Sequence, residues 1–317
     1  MKKVILILGP TAVGKTALSI KLAQKLNTEI ISADSMQIYK HMDIGTAKPS
    51  KEELSIVKHH MIDIIEPYEY FSVGDYIEQV IPIINRLHYQ DKIPILTGGT
   101  GLYMKAMTRG LFKGPEADKK LREKLLKGEE SQQGILYNYL QSIDPISAQK
   151  IQPNDKRRIL RAIEVYIKTK TTISDIQTNL TIPLPYEFIK IGLTAPRQRL
   201  YERINQRVDD MIKNNLFEEV RKVVKIILER KPHHSSSIDE MQYLLTFTSM
   251  QAIGYKEIIM MEYGLNDKES TISLIKQRTR NYAKRQFTWF RAERDIIWFD
   301  SFKEGSIDEI IWQVFTL

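Results

Sequence analysis

ILGPTAVGKT, Ile7 to Thr16, decides how the rest of the chain is read. Gly9, four residues, Gly14, Lys15 and Thr16 make the G-x-x-x-x-G-K-[ST] phosphate loop, in which backbone N–H groups and a lysine surround a pyrophosphate while the hydroxyl reaches Mg²⁺. The loop is thus Gly9, Pro10, Thr11, Ala12, Val13, Gly14, Lys15 and Thr16, with Thr16 the expected metal contact. Before it, Val4 to Leu8 is a bare apolar run suited to a buried parallel strand; after it, Leu18, Leu22 and Leu26 recur at helical spacing. The loop therefore joins a strand to a helix N-terminus, where the dipole and free N–H groups favour an anion. A chance glycine-rich turn would not bring that strand and helix with it. Phosphate binding follows from the motif, but the reaction does not.

Two further strand ends point to the same place. Glu29 to Ser32 ends in Ala33, Asp34 and Ser35, and Ile93 to Thr97 ends in Gly98, Gly99, Thr100 and Gly101. Strands alternating with helices predict an α/β fold with a parallel sheet, a P-loop NTPase-like core. Ligands of such sheets bind beyond the carboxyl ends of the strands, so Asp34 and Thr100 are expected to face the crevice that holds Lys15. From Glu116 to about Pro185 strand signals are sparse. Lys119 to Lys127 and Asp155 to Lys168 read as charged helices, with Asp144 to Asp155 as connection, so a helical insertion over 116–185 is expected inside a core of 1–115 and 186–317. Phe188 to Leu193 restores a strand, and amphipathic helices follow over Arg197 to Arg230 and Ser273 to Arg294. Lys231 to Glu240, KPHHSSSIDE, reads as a mobile surface loop.

At 317 residues, 42% hydrophobic and 27% charged, the chain has the composition of a soluble globular protein with a sizeable core. A net charge of +8 favours an anionic partner without choosing among RNA, DNA and acidic lipid. The absence of cysteine excludes disulfides, thiolate metal sites and cysteine nucleophiles, and fits a reducing cytoplasm. The opening MKKVILIL is too soon interrupted by Gly9, Pro10 and Lys15 for a signal peptide, and no stretch approaches the ~20 apolar residues of a membrane span.

Asp34 admits three roles at its strand end: a Mg²⁺ ligand, the N-cap of a following helix, or a general base. PILTGGTGLY, Pro94 to Tyr103, lacks the acidic residue with which many phosphate-loop NTPases hold Mg²⁺ after such a strand, which argues against routine ATP hydrolysis. Its glycines permit close approach of a ligand, or make a tight turn. Between Lys276 and Arg291 there are six cations and no acidic residue. Lys276, Arg280 and Lys284 share a face, and Tyr282, Phe287, Trp289 and Phe290 interleave aromatics, which suits phosphate contact with base stacking; a solvated helix with core-facing aromatics is the plainer alternative. Arg157 and Arg161 repeat the pattern beside Arg158. His59 and His60 have no acidic partner at ligand spacing, and Arg203 with Arg207 is placed either to reach a diphosphate or to pair with Glu202 and Asp209.

Taken in order, GPTAVGKT, ISADSMQIYKHMDIGTAKP, HHMIDI, FSVGDY, PILTGGTGLY, NDKRRILRAIEV, MQAIGYKE and AKRQFTWFR resemble the bacterial tRNA dimethylallyltransferases over nearly the whole chain. That resemblance implies that the loop holds the diphosphate of dimethylallyl diphosphate as a leaving group, with Mg²⁺ assisting, while the prenyl group passes to the exocyclic amine of the adenosine 3′ of the anticodon. It implies that Thr11, Lys15, Thr16 and Arg207 attend the diphosphate and that Asp34 accepts the proton. Ser35, Met36 and Gln37 match the segment that contacts the target base, and Thr100, Arg158 and Arg161 match tRNA-contacting positions. Ser249 to Lys256 and the helix bearing Lys276, Arg280, Lys284 and Arg285 complete the RNA surface. A cytoplasmic monomer without membrane attachment is expected. A small-molecule kinase would explain the loop and Asp34 but not the basic helix; a non-catalytic RNA-binding module would leave Asp34, Lys15 and Thr16 idle.

Overall fold

Val4 to Leu8 is buried along its whole length, as a central strand covered on both faces must be. In the computed structural model, which describes residues 2–112, 114–231, 239–303, 305, 309–312 and 314, that strand lies at the middle of a six-stranded sheet. The chain divides into one unit of Met1–Met104 with Pro185–Leu317 and a second of Lys105–Leu184.

The first unit opens with β1 (Lys2–Leu8), α1 (Lys15–Lys25), β2 (Ile30–Ser32), α2 (Lys51–Ile56), β3 (His59–His60), α3 (Val73–Tyr89), β4 (Ile95–Thr97) and α4 (Gly101–Arg109), whose last residues begin the second unit. That second unit continues through α5 (Lys119–Ser131), α6 (Ile135–Ile143), α7 (Pro145–Lys150), α8 (Lys156–Thr169) and α9 (Ile173–Asn179). The first resumes with β5 (Tyr186–Thr194), α10 (Arg197–Lys213), α11 (Leu216–Leu228), α12 (Glu240–Leu245), a 3₁₀ turn at Ser249–Gln251, α13 (Tyr255–Glu262), α14 (Lys268–Arg291) and β6 (Ile296–Asp300).

The sheet order is β3-β2-β4-β1-β5-β6, and every pairing is parallel. The fold is α/β, as expected. Thr97 is level with Ile7 on one side and Ser32 on the other, so the segments leaving β1, β2 and β4 emerge side by side. One core cluster packs β1, β4 and β5 against α1 and α10; another gathers α11, α13 and the Ile38–Met42 turn. The segment just after that turn is held by Glu219, a buried carboxylate that accepts the N–H groups of Asp43, Ile44 and Gly45 at 2.7–2.9 Å and the hydroxyl of Tyr255.

Two expectations change and one strand is added. Asp144 to Asp155 is not bare connection: α7 forms there, with Pro145 in its first turn and the Asp144 side chain accepting the Ser147 N–H at 3.0 Å, the capping chemistry of a helix start. β6, which follows the basic helix, completes the sheet edge. No helix follows Asp34, so it caps none. Most of the proposed surface loop, 232–238 with both of its histidines, lies outside the described residues. Among the described residues no helix is long and apolar enough to cross a membrane.

Candidate functional site

The phosphate loop leaves β1 through Gly9, whose φ of 146° and whose approach to Leu193 both require glycine: a Cβ there would lie 2.7 Å from the Leu193 carbonyl. Lys15 folds back over the loop, donating to the carbonyls of Gly9 at 2.9 Å and Pro10 at 2.8 Å. Burial lowers its ammonium to about 7, with nearby Asp34 opposing that shift and Arg207 adding to it. Thr16 lines the same crevice from the first turn of α1.

Asp34 follows β2. Its carboxylate accepts the Met36 N–H at 2.9 Å in a short turn instead of capping a helix. Burial raises the carboxyl above its ordinary range, against the pull of the Met36 amide and of Lys15. A carboxylate so placed is a stronger base than one in water. Ser35 donates its N–H to the Thr100 hydroxyl at 2.9 Å, and Gln37 is fixed by accepting from the Ser32 hydroxyl at 2.9 Å and donating to the Ala47 carbonyl at 3.2 Å. Arg207, from α10, reaches the Thr11 hydroxyl at 3.4 Å. Burial lowers its guanidinium from the usual value, and Asp34 counteracts that. Of the acidic partners weighed for Arg207, Asp209 pairs elsewhere, with Lys276 at 2.6 Å.

Thr11, Lys15, Thr16, Asp34, Ser35, Met36, Gln37, Arg207 and Arg285 all border one crevice of about 800 Å³. A positively charged loop, a basic carboxylate and an opening of that size suit a reaction in which an anionic group leaves and a proton is removed.

The glycines after β4 make room for protein. A Cβ on Gly98 would lie 2.2 Å from the Ala33 carbonyl, one on Gly99 2.2 Å from Gln286 Nε2, and one on Gly101 2.8 Å from the Trp289 ring. Both of the latter partners come from α14, which carries more than cations to the site. Thr279, Tyr282 and Gln286 line the crevice at spacings of three and four, and Trp289 continues that stripe. Gln286 is buried; its Oε1 accepts the Thr11 N–H at 2.8 Å and its Nε2 donates to the Gly99 carbonyl at 2.9 Å. Sequence reasoning picked out Tyr282 and Trp289 as stacking aromatics but passed over Thr279 and Gln286, because the charged residues between them dominate the composition. The i, i+3/i+4 spacing was the available signal.

The basic face of α14 is less bare than its own sequence suggests. Lys276 pairs with Asp209, Arg280 donates to Asn205 at 2.6 Å and Arg278 pairs with the buried Glu257, so two other helices supply the missing partners. Lys284 and Arg285 remain exposed. Phe290 is buried and Phe287 packs on the sheet core, as the plainer reading had it, while Trp289 stays 42% exposed. His60 also has an acidic partner that local spacing did not reveal, Glu29 at 2.5 Å, and Arg86 shares that carboxylate at 2.8 Å.

Within the second unit, Arg158 is exposed and pairs with Asp155 at 3.2 Å. Arg161 donates to Glu164 at 2.7 Å and to the Pro115 carbonyl at 2.9 Å. Burial alone would raise the Glu164 carboxyl; Arg122, the Asp118 amide and Arg161 together hold it at about 2.

A sequence profile described as IPP transferase matches residues 37–293. The chain is 51% identical to a tRNA dimethylallyltransferase of Thermodesulfovibrio yellowstonii, over 99% of this chain and 97% of that protein. It is 49% identical to one of Halothermothrix orenii, over 93% and 87%. Among solved structures it superposes on a tRNA isopentenylpyrophosphate transferase of Bacillus halodurans with a TM-score of 0.70, 39% identity and coverage of 100% and 96%. On a eukaryotic dimethylallyltransferase acting on tRNA the TM-score is 0.81, with 31% identity and coverage of 99% and 77%.

Proposed function

We propose, since this chain belongs to the IPP transferase family and transfers a dimethylallyl group to tRNA, that the group comes from dimethylallyl diphosphate held at the phosphate loop. The acceptor is the exocyclic N6 amine of the adenosine 3′ of the anticodon. The observation that carries this reading is the convergence of Lys15, Arg207, the Thr11 hydroxyl and the Asp34 carboxylate on one crevice. Cations and a hydroxyl at one end suit a departing diphosphate; a carboxylate of raised basicity suits an amine that must lose a proton.

In the reaction the N6–C1 bond forms, the C1–O bond to diphosphate breaks, and the N6 proton passes to Asp34. An adenine amine is a weak nucleophile because its lone pair is delocalised into the ring, so removing the proton as the bond forms contributes about 10²- to 10⁴-fold. Lys15 must leave the Gly9 and Pro10 carbonyls to meet the diphosphate. Mg²⁺ would supply further charge neutralisation on the leaving group. The residues fit such an ion: Thr16 offers a hydroxyl in the crevice, and the Thr97 hydroxyl, buried at the end of β4 without a protein partner, suits a water of its shell. An anticodon-loop base must be extruded to enter the crevice, at a cost of a few kcal/mol, about what backbone contacts from exposed cations such as Lys284 and Arg285 would offset. Exposed Arg158 offers a further phosphate contact.

The test is incubation of the protein with unmodified tRNA and labelled dimethylallyl diphosphate, with labelled ATP in a parallel reaction. Label entering tRNA from the prenyl donor, dependent on Mg²⁺, is expected. Brisk phosphoryl transfer from ATP with no prenylation would replace this reading by a kinase.

A further inference from the structure

Thr11 stands between two side chains that come from distant parts of the chain. Arg207 reaches its hydroxyl at 3.4 Å, and Gln286 accepts its backbone N–H at 2.8 Å. The second contact is unusual for a phosphate loop, whose amides generally turn toward the anion. Gln286 also donates to the Gly99 carbonyl at 2.9 Å, is 4% exposed, and fits only because Gly99 has no side chain. It thus joins the loop after β1 to the loop after β4 through one planar amide.

We propose that Gln286 is a positioning residue that fixes Thr11, and with it the Thr11 hydroxyl, against the leaving diphosphate. The inference rests on the reading of the loop as the prenyl-diphosphate site. Thr11 sits between Pro10, which donates no N–H, and Ala12, which adopts φ 64°, so no regular ladder holds this part of the loop. An amide is the neutral side chain that accepts from one backbone and donates to another at the same end. Methionine of similar volume does neither, and a glutamate would set an anion against the Gly99 carbonyl. The structure also predicts which amides face the phosphate. Gly14, Lys15 and Thr16 cap and open α1, whose first N–H groups have no intrahelical partner, and Val13 directly precedes them, whereas the Thr11 N–H is already engaged.

Two measurements test this. In steady-state kinetics Gln286→Met is expected to lower kcat by about 10- to 100-fold with the KM for tRNA changed by less than about twofold, because tRNA binding does not pass through Thr11. Gly99→Ala, whose Cβ would displace the Gln286 amide, is expected to act in the same direction. Introduced into a Thr11→Ala background, Gln286→Met is expected to cost less than about threefold more, since the hydroxyl it positions is gone. Losses that multiply in the double variant, or a fall in thermal stability with kcat intact, would overturn the proposal and leave Gln286 a packing residue. Wild-type protein supplies the second readout, which does not depend on any variant folding. With ¹⁵N-labelled protein, the Thr11 amide is expected to be protected from hydrogen exchange before ligand is added. Addition of inorganic diphosphate with Mg²⁺ is expected to shift Val13 to Thr16 while leaving Thr11 nearly unmoved. A rapidly exchanging Thr11 amide, or one that shifts as far as its neighbours, overturns it. If the wild-type protein prenylates no tRNA at all, the functional reading fails, and the amide measurement still decides whether Gln286 holds Thr11.

Discussion

Replacing Asp34 by Asn removes one capacity and little else. In the folded protein Asp34 Oδ1 accepts the Met36 N–H at 2.9 Å, and an Asn side-chain oxygen accepts the same bond, so the turn that presents Ser35, Met36 and Gln37 is retained. The Ser35–Thr100 and Gln37–Ala47 contacts do not involve the carboxylate and also persist. What is lost is the proton acceptor, together with the negative charge that burial has made more basic than an ordinary aspartate. General-base catalysis is worth about 10²- to 10⁴-fold, and at about 1.4 kcal/mol per tenfold the variant should lose about 3–6 kcal/mol of transition-state stabilisation. Single-turnover transfer from labelled dimethylallyl diphosphate, at saturating tRNA, measures that loss directly. Filter binding of tRNA should change by less than about twofold. The wild-type rate should fall as pH drops through the raised Asp34 pKa, and that limb should vanish from the Asn variant. Turnover within about threefold of wild type would refute a base at this position, because Asn keeps the turn but cannot take the proton.

Lys15 supplies a proton-linkage test. With its pKa lowered to about 7 in the free protein, it is about nine-tenths neutral at pH 8 and must be charged to meet diphosphate, so calorimetry in buffers of different ionisation enthalpy should show uptake approaching one proton on binding at that pH. Uptake should shrink toward pH 6, where the lysine is already protonated. Changing Lys284 and Arg285 to Ala should flatten the slope of log tRNA affinity against log salt by about 1.4–1.8 units, at about 0.7–0.9 per phosphate contact, whereas Lys276→Ala should change it less because Asp209 already holds that ammonium. Glu219→Gln sets an NH₂ group against a cluster of donors, and urea unfolding should report a loss of about 2–4 kcal/mol.

The central strand, the phosphate loop and its helix were legible in the sequence because they are local: an apolar run, a fixed glycine spacing and a 3.6-residue period over neighbouring residues. The approach of Asp34 to Lys15 was legible because parallel sheets place ligands at strand ends, whereas Thr100 bonds Ser35 and is not among the residues that line the crevice. Other features depend on distant partners. Lys276 looks uncompensated within its own helix, yet Asp209 neutralises it from 67 residues away. His60 on β3 meets Glu29, the residue just before β2. Gln286 and Thr11 are 275 residues apart, and neither residue type signals the other. The glycines after β4 were legible, but what Gly99 and Gly101 admit is α14, and only packing reveals that. Asp34 was ambiguous for a local reason: an Asp that starts a tight turn and one that caps a helix differ only in whether a helix follows.

The most direct test of the central claim is to identify the modified nucleoside. Protein, Mg²⁺, dimethylallyl diphosphate and an unmodified anticodon stem-loop are incubated, and the RNA is digested and analysed by mass spectrometry, alongside a stem-loop in which the adenosine 3′ of the anticodon is replaced by a purine without the exocyclic amine. One prenyl unit on that adenosine, released diphosphate in equal amount and no reaction on the substituted RNA are expected. Prenylation of the substituted RNA, or its appearance on another nucleotide, would contradict the claim that Asp34 and the phosphate loop act together on that amine.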